Sequence, residues 1–417
     1  MKKSVVASPP TALTAPGLSS VRTPAECAPN KAASRRPMPR GPVFGWDNFH
    51  ATPKFDLIGV ENLPHKIFTT SGRAAIYQAL LQLRLTAGSL ILVPTYHCPT
   101  MVAPVLLANG TPGYFGITTA GLPDLARIPA QVAQQAKAIL VPHYFGLPQS
   151  LAAVRHWCDT HHIALIEDCA HSLYGDAGER CVGAWGDFAT ASLSKFLPVP
   201  EAGLLASATR ALAPSELARQ GLRAQIKGFV DVLDVATSHQ RLPGLNRLIG
   251  GVFRVRENLR SKIQVSQPNE AGVTSTADFM NGCNMQRSHR APLWASMIIA
   301  NALPRSRVVM RRLENYQIFA SSLQNSNGAV ALVPTISDRA APYVFPLWVN
   351  DADRVYHTLR AQGYPVFRWD RIWPGTPRMD GDVGPLWSQH VLQLLCHQDL
   401  CADDIAQTAA AVLRLLK

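Results

Sequence analysis

Short, wholly apolar runs alternate with helical patterns through the first half of this chain, and that alternation leaves few architectures open. Residues 90–93 (LILV), 138–141 (AILV) and 164–166 (ALI) are apolar at every position. A strand buried on both faces reads this way, whereas a half-exposed strand alternates apolar and polar residues. Between such runs, residues 73–85 place Ala75, Ile76, Ala79, Leu80 and Leu83 at helical spacing, with Gly88 as a stop. Residues 151–161 read as a second helix. Strands and helices in turn predict an α/β fold whose mostly parallel sheet is covered on both faces. Ligands in such sheets bind beyond the carboxyl ends of the strands. The polar residues at those ends are Tyr96 and His97, His143 and Tyr144, and Asp168 and His171.

The rest of the chain divides around this body. Residues 1–42 hold eight prolines and show no apolar periodicity, so a disordered, basic, Pro-rich tail is expected there. Residues 43–284 are expected to form a large domain, and residues 285–417 a smaller α+β domain. The latter opens with a helical pattern over 285–320. Apolar runs come next at 343–349 and 364–367, and a helix over 405–416 closes it.

Net charge gives a second constraint. The formal excess is +12, and a basic protein invites a nucleic-acid or membrane partner. Residues 1–42 carry +6 of it, and residues 219–262 carry the other +6, which leaves the body with 24 charges of each sign. The 219–262 stretch reads as a basic insertion. No nucleic-acid partner is expected, while a membrane surface or an acidic partner remains open for the two basic segments. No apolar run approaches the roughly 20 residues that span a bilayer. Ser8, Pro9 and Pro10 interrupt any leader after Met1-Lys2-Lys3, so a cytoplasmic protein is expected. Eight cysteines are too few for a disulfide scaffold. Cys396 and Cys401, with His397 nearby, are poorly spaced for zinc, and no metal site is expected. Walker A, G-x-G-x-x-G and G-x-S-x-G motifs are all missing from the sequence.

Four segments carry chemistry. Thr70-Ser71-Gly72-Arg73-Ala74 opens a helix whose exposed N–H groups suit a phosphate or serve as an ordinary cap. Tyr96, in Pro94-Thr95-Tyr96-His97-Cys98, offers a flat face to a ring or to the core. Asp168, in Glu167-Asp168-Cys169-Ala170-His171, is a carboxylate at the end of a buried strand. Such a group is costly without a cation, and a protonated pyridine nitrogen would supply one. Lys195 comes after Gly186-Asp187-Phe188 and a hydroxyl-rich run (Thr190, Ser192, Ser194) among apolar neighbours. A lysine in that setting forms Schiff bases readily.

In this order, S-G-R-A, P-x-Y, E-D-x-A-H and G-D-F-A-x-x-S-x-S-K, the chain resembles the DegT/DnrJ/EryC1/StrS family of pyridoxal-phosphate aminotransferases. The resemblance covers residues 60–210 well and 280–417 more loosely. It implies the aspartate-aminotransferase-like fold (type I) and a pyridoxal 5'-phosphate cofactor. It also implies transfer of an amino group from a donor such as glutamate to a carbonyl acceptor, a nucleotide-linked keto-sugar. Lys195 would hold the cofactor as an internal aldimine and move the proton. Asp168 would pair with the pyridinium nitrogen, His171 would lie near the phenolic oxygen, and Tyr96 would stack on the ring. Gly72 and Arg73 would bind the phosphate through backbone N–H groups, and Ser192 through its hydroxyl, with Thr190 and Ser194 as alternatives. Asn284 and Arg368 are substrate-binding candidates, Arg368 for an anionic group. The resemblance also implies a homodimer. Two other readings stay open: a related enzyme that dehydrates or aminates a non-sugar metabolite, and a scaffolding protein that docks through 219–262.

Overall fold

The computed structural model describes residues 38–50, 57–251 and 275–417. The apolar runs become the central strands of a seven-stranded sheet. Its strands are β1 (His65–Thr69), β2 (Leu90–Pro94), β3 (Thr111–Phe115), β4 (Ala136–Pro142), β5 (Ala164–Asp168), β8 (Phe188–Ser192) and β9 (Gly203–Ser207). They lie in the order β1-β9-β8-β5-β4-β2-β3. The pairs from β3 across to β8 are parallel; β9 runs antiparallel to β8, and β1 antiparallel to β9. A small hairpin, β6 (Asp176–Ala177) and β7 (Arg180–Cys181), lies between β5 and β8.

The continuous apolar runs reflect a core on each face. Leu92, Ile139, Val141 and Leu165 join one buried cluster, while Ile91, Val93, Leu140 and Ile166 join the other. Alternate residues of one strand therefore serve opposite layers, so neither set is polar. Helices α1 (Gly72–Gln82) and α2 (Pro99–Leu107) fill the second layer with Ala75, Ile76, Leu80, Met101 and Val105. Burial of each large side chain contributes roughly 1.5–3 kcal/mol over exposure. Helices α3 (Ala130–Gln135) and α4 (Ala152–His161) lead into β4 and β5. All these parallel strands point their carboxyl ends the same way, which gathers residues 94–98, 142–144, 168–171 and 192–195 at one edge.

The C-terminal part carries an antiparallel sheet in the order β10-β11-β13-β12: Ala329–Ala331, Val344–Val349, Val391–Leu395 and Val366–Phe367. The helical pattern over 285–320 resolves into two helices, Trp294–Ala302 and Ser306–Leu323. Pro304 separates them, because the residue before a proline is pushed out of helical geometry. The first of the two sits beside α5 (Leu222–Ser238): Gln225 Oε1 accepts from the Trp294 N–H at 2.8 Å.

The tail expectation needs correcting at its end. Met38, Pro39 and Val43 are buried. The Val43 N–H donates to Asp399 Oδ2 at 3.0 Å, and Pro39 O lies 3.1 Å from His397 Nε2. Residues 38–42 therefore belong to the packed body, held by partners more than 350 positions away that no local pattern reveals. Residues 1–37 and the 252–262 part of the basic stretch fall outside the described residues. Among the described residues, no helix is long and apolar enough to cross a membrane.

Candidate active site

At the carboxyl edge of the sheet lies a cavity of about 290 Å³, lined by Gly72, Arg73, Asp168, His171, Ser192 and Lys195 among others. They arrive from three places: the start of α1, the end of β5 with the turn after it, and the end of β8 with the turn after it. The Ser71 hydroxyl accepts from the Ala74 N–H at 3.3 Å and so caps α1, turning Gly72 and Arg73 toward the cavity. A Cβ on Gly72 would come within 3.3 Å of the Ser192 Cβ, so the missing side chain lets α1 approach β8 closely. Asp168 ends β5, and Lys195 ends the single 3-10 turn directly after β8.

The carboxylate and the amine perturb each other. Burial raises the pKa of Asp168, against the Ala170 N–H that donates to Oδ1 at 2.9 Å and the nearby charge of Lys195. Burial likewise lowers the pKa of Lys195, opposed by Cys98 and Asp168 and reinforced by Arg73. Buried His171 sits between aromatic rings, 4.4 Å from the Tyr343 centroid and 4.9 Å from that of Trp369. Its Nδ1 has no hydrogen-bond partner, and burial holds the ring neutral. Lys195 Nζ lies 5.2 Å from the Tyr343 ring centroid.

Beneath the cavity, a hydrogen-bonded pair fixes the strand ends. His143 Nδ1 accepts from the Gln149 N–H at 3.2 Å, so Nε2 carries the hydrogen donated to Glu167 Oε1 at 2.8 Å. Glu167 also accepts from the N–H groups of Gly183, Trp185 and Gly186. Cys169 lies close to this pair. The lone pairs a metal would need are taken up by these hydrogen bonds, and burial keeps the Cys169 thiol protonated.

Several sequence-level assignments change here. Tyr96 is wholly buried and does not line the cavity. Its ring packs 5.3 Å from Tyr144 and 5.3 Å from Trp369, and its hydroxyl meets Gln393 Nε2. The end of β2 presents Cys98 to the cavity instead. Of the three hydroxyls, Ser192 and Ser194 line the cavity, 3.4 Å apart, whereas Thr190 is two residues deeper in the sheet and fully buried. Arg368 faces away. Its guanidinium is held by Asp353 and by the carbonyls of Ser388 (3.2 Å) and Gln389 (2.5 Å). Neighbouring Trp369 is the cavity residue. Asn284 is exposed, in a left-handed conformation (φ 47°), and outside the cavity lining.

Arg312 carried no sequence signal, being one more cation in a helical stretch. It is fully buried. Its guanidinium donates to Lys195 O at 2.6 Å, Pro342 O at 3.0 Å and Gln398 Oε1 at 3.0 Å, and it stacks 4.4 Å from the Phe196 ring centroid. Gln398 Nε2 in turn donates to Phe196 O at 2.7 Å. The C-terminal helices thus hold the lysine loop from below.

The cavity fits pyridoxal phosphate on its own chemistry. It holds a buried carboxylate that forms no ion pair among the described residues, an orphaned imidazole nitrogen, an amine whose charge burial disfavours, and two hydroxyls beside a helix N-terminus.

Comparison with known proteins agrees. A model of the DegT/DnrJ/EryC1/StrS aminotransferase family matches residues 57–233. A UDP-N-acetyl-3-dehydro-α-D-glucosamine 3-aminotransferase of Acidithiobacillus ferrooxidans is 27% identical over 32% of this chain and 36% of its own. An L-glutamine:2-deoxy-scyllo-inosose aminotransferase of Streptoalloteichus tenebrarius is 25% identical over 77% of this chain and 73% of its own. The chain spans 35–40% of the length of the first curated relatives it matches. The crystal structure of DesI with its TDP-sugar product superposes with a TM-score of 0.58 at 15% identity, covering 86% of this chain and 82% of that one, a likeness of fold.

Proposed function

We propose that this chain is a member of the DegT/DnrJ/EryC1/StrS aminotransferase family, whose model matches residues 57–233, and a pyridoxal-phosphate-dependent aminotransferase acting on a nucleotide-linked keto-sugar. An amino donor such as glutamate would supply the nitrogen. The observation that carries the reading is the meeting in one cavity of Lys195, from the turn after β8, with Asp168 and His171, from the end of β5 and the turn after it.

Pyridoxal phosphate, when bound, supplies an aldehyde that accepts and returns the amino group and a ring that draws electrons from the substrate's Cα. The residues divide the remaining work. Lys195 Nζ, its charge disfavoured by burial, is the nucleophile for the aldehyde and, once free, the base for the Cα proton. Asp168 keeps a ring nitrogen protonated, since its buried carboxylate gains most when a cation faces it. His171 Nδ1 is free to hydrogen-bond a phenolic oxygen. Ser192, Ser194 and the N–H groups of Gly72 and Arg73 suit the phosphate. Trp369 and Tyr343 exclude water around His171. The keto-sugar acceptor is supported by what relatives act on: the Acidithiobacillus protein is named for a UDP-linked dehydro sugar.

Visible absorbance of the purified protein with pyridoxal phosphate tests this. The wild type should bind it with a band that glutamate shifts and a keto-sugar nucleotide restores, and Lys195→Ala should lose that band. A glutamate-insensitive band, or one unchanged in Lys195→Ala, sinks the proposal.

A further inference from the structure

We propose that the Arg73 guanidinium is the anion-recognition group of this cavity, pairing with a phosphate or carboxylate oxygen of the bound ligand. This assigns a task to the side chain, beyond its backbone N–H, and the ligand's identity rests on the reading above.

The argument is one of unmatched charge. Four cations stand in or near the cavity, and three have an opposite charge nearby. Lys195 faces Asp168, each opposing the effect of burial on the other. Arg287 is ion-paired with Glu201 and donates to Gln220 Oε1 at 2.8 Å. Arg368 is held outside by Asp353 and two carbonyls. Arg73 lines the cavity, and among the described residues no carboxylate lies within ion-pair distance of it, nor does any hydrogen bond engage it. Its charge works against that of Lys195 across the cavity. Two like charges in an enclosed, partly desolvated space are unfavourable, and an arriving anion relieves them.

Placement adds direction. Arg73 is the second residue of α1, beside the Ser71 hydroxyl that caps the helix by accepting from the Ala74 N–H. The planar guanidinium presents paired N–H groups that match two oxygens of one phosphate or carboxylate. Arg73 is half-buried, lines the cavity, and its charge also works against the burial that raises the Cys283 thiol.

Fluorescence titration with pyridoxal phosphate, unphosphorylated pyridoxal, inorganic phosphate and glutarate (a dicarboxylate stand-in for the donor) decides it, in wild type, Arg73→Gln and Arg73→Lys. Loss of a hydrogen-bonded charge pair predicts anion binding weakened about 10- to 100-fold in Arg73→Gln, with pyridoxal affinity unchanged. Arg73→Lys should recover part of the loss. A loss confined to pyridoxal phosphate and inorganic phosphate assigns the cofactor phosphate; one confined to glutarate assigns the substrate carboxylate. Both support the proposal. Wild-type affinity of Arg73→Gln for all three anions overturns it, as does an equal loss for pyridoxal. If wild type binds no pyridoxal phosphate, the aminotransferase reading fails by itself, and the inorganic phosphate and glutarate titrations still judge Arg73.

Discussion

One arginine, at the floor, stands behind the Lys195 loop and another lies on the lining of the cavity, and the two are opposite in kind. Arg312, under the Lys195 loop, is sealed from water, and its donors meet three acceptors drawn from residues 195, 342 and 398. Arg73, on the lining, has the cavity beside it and no ion-pair partner among the described residues. Burial pulls the Arg312 pKa down to about 10, so it stays charged at neutral pH. A buried charge without a carboxylate survives because main-chain oxygens replace its water. The floor is therefore a finished network that positions a nucleophile, and the lining at Arg73 is left for a ligand to complete. Rigidity below and incompleteness above are what a reusable binding site requires.

Four experiments break or sharpen this contrast. The largest effect is expected in the floor: Arg312→Gln strands the carbonyls of Lys195 and Pro342, each unmet buried group costing about 1–3 kcal/mol. Denaturant unfolding should show a loss of several kcal/mol. In Arg312→Lys, which keeps the charge and loses the fork, the pH at which the Lys195-dependent absorbance titrates should shift. An unshifted profile would make Arg312 merely structural.

The next concerns His97, at the end of β2. Its Nδ1 lies 2.8 Å from Pro94 O, and its Nε2 accepts from the Trp373 N–H at 2.9 Å. Burial lowers its pKa to about 4. A histidine depressed in the folded state contributes stability that is present above about 6.5 and lost as pH falls toward about 4. The loss approaches about 3 kcal/mol. Urea midpoints from pH 7 to pH 4 should fall more steeply in wild type than in His97→Gln; parallel curves would remove His97 from the account.

At Asp168 the prediction divides stability from function. A carboxylate raised by burial costs stability as pH climbs past its unfolded value, so Asp168→Asn should raise the melting temperature of the cofactor-free protein at pH 8 by a few degrees. The same change should weaken pyridoxal phosphate binding. A lower melting temperature with intact cofactor affinity would contradict both. Arg368→Ala should do least, costing about 1 kcal/mol through its partly exposed ion pair and leaving the KM for both substrates unchanged. A raised KM would return Arg368 to the substrate site.

The cavity's chemistry was legible in part, and the pattern of misses is physical. Asp168, His171 and Lys195 could be located because strand ends in a parallel sheet point one way, so polar residues after apolar runs share an edge. Tyr96 and Cys98 come after the same run, two positions apart. Which of them faces the cavity depends on the turn after Pro94 and on Trp369 and Trp387 packing over Tyr96 from the C-terminal part of the chain. Thr190 and Ser192 share a strand face, but depth along β8 separates them. Arg312 gave no signal because its partners lie up to 117 positions away.

By itself, then, the sequence determined the layered α/β body, the order of its chemical segments and the placing of Asp168, His171 and Lys195 at one edge of the sheet. These depend on local periodicity and on the polar residues at the carboxyl end of each strand. Tertiary structure alone decided which neighbours face the cavity, which arginine is held and which is left unmatched, and where the packed chain begins. Those outcomes depend on contacts between residues tens to hundreds of positions apart, which spacing along the chain does not encode.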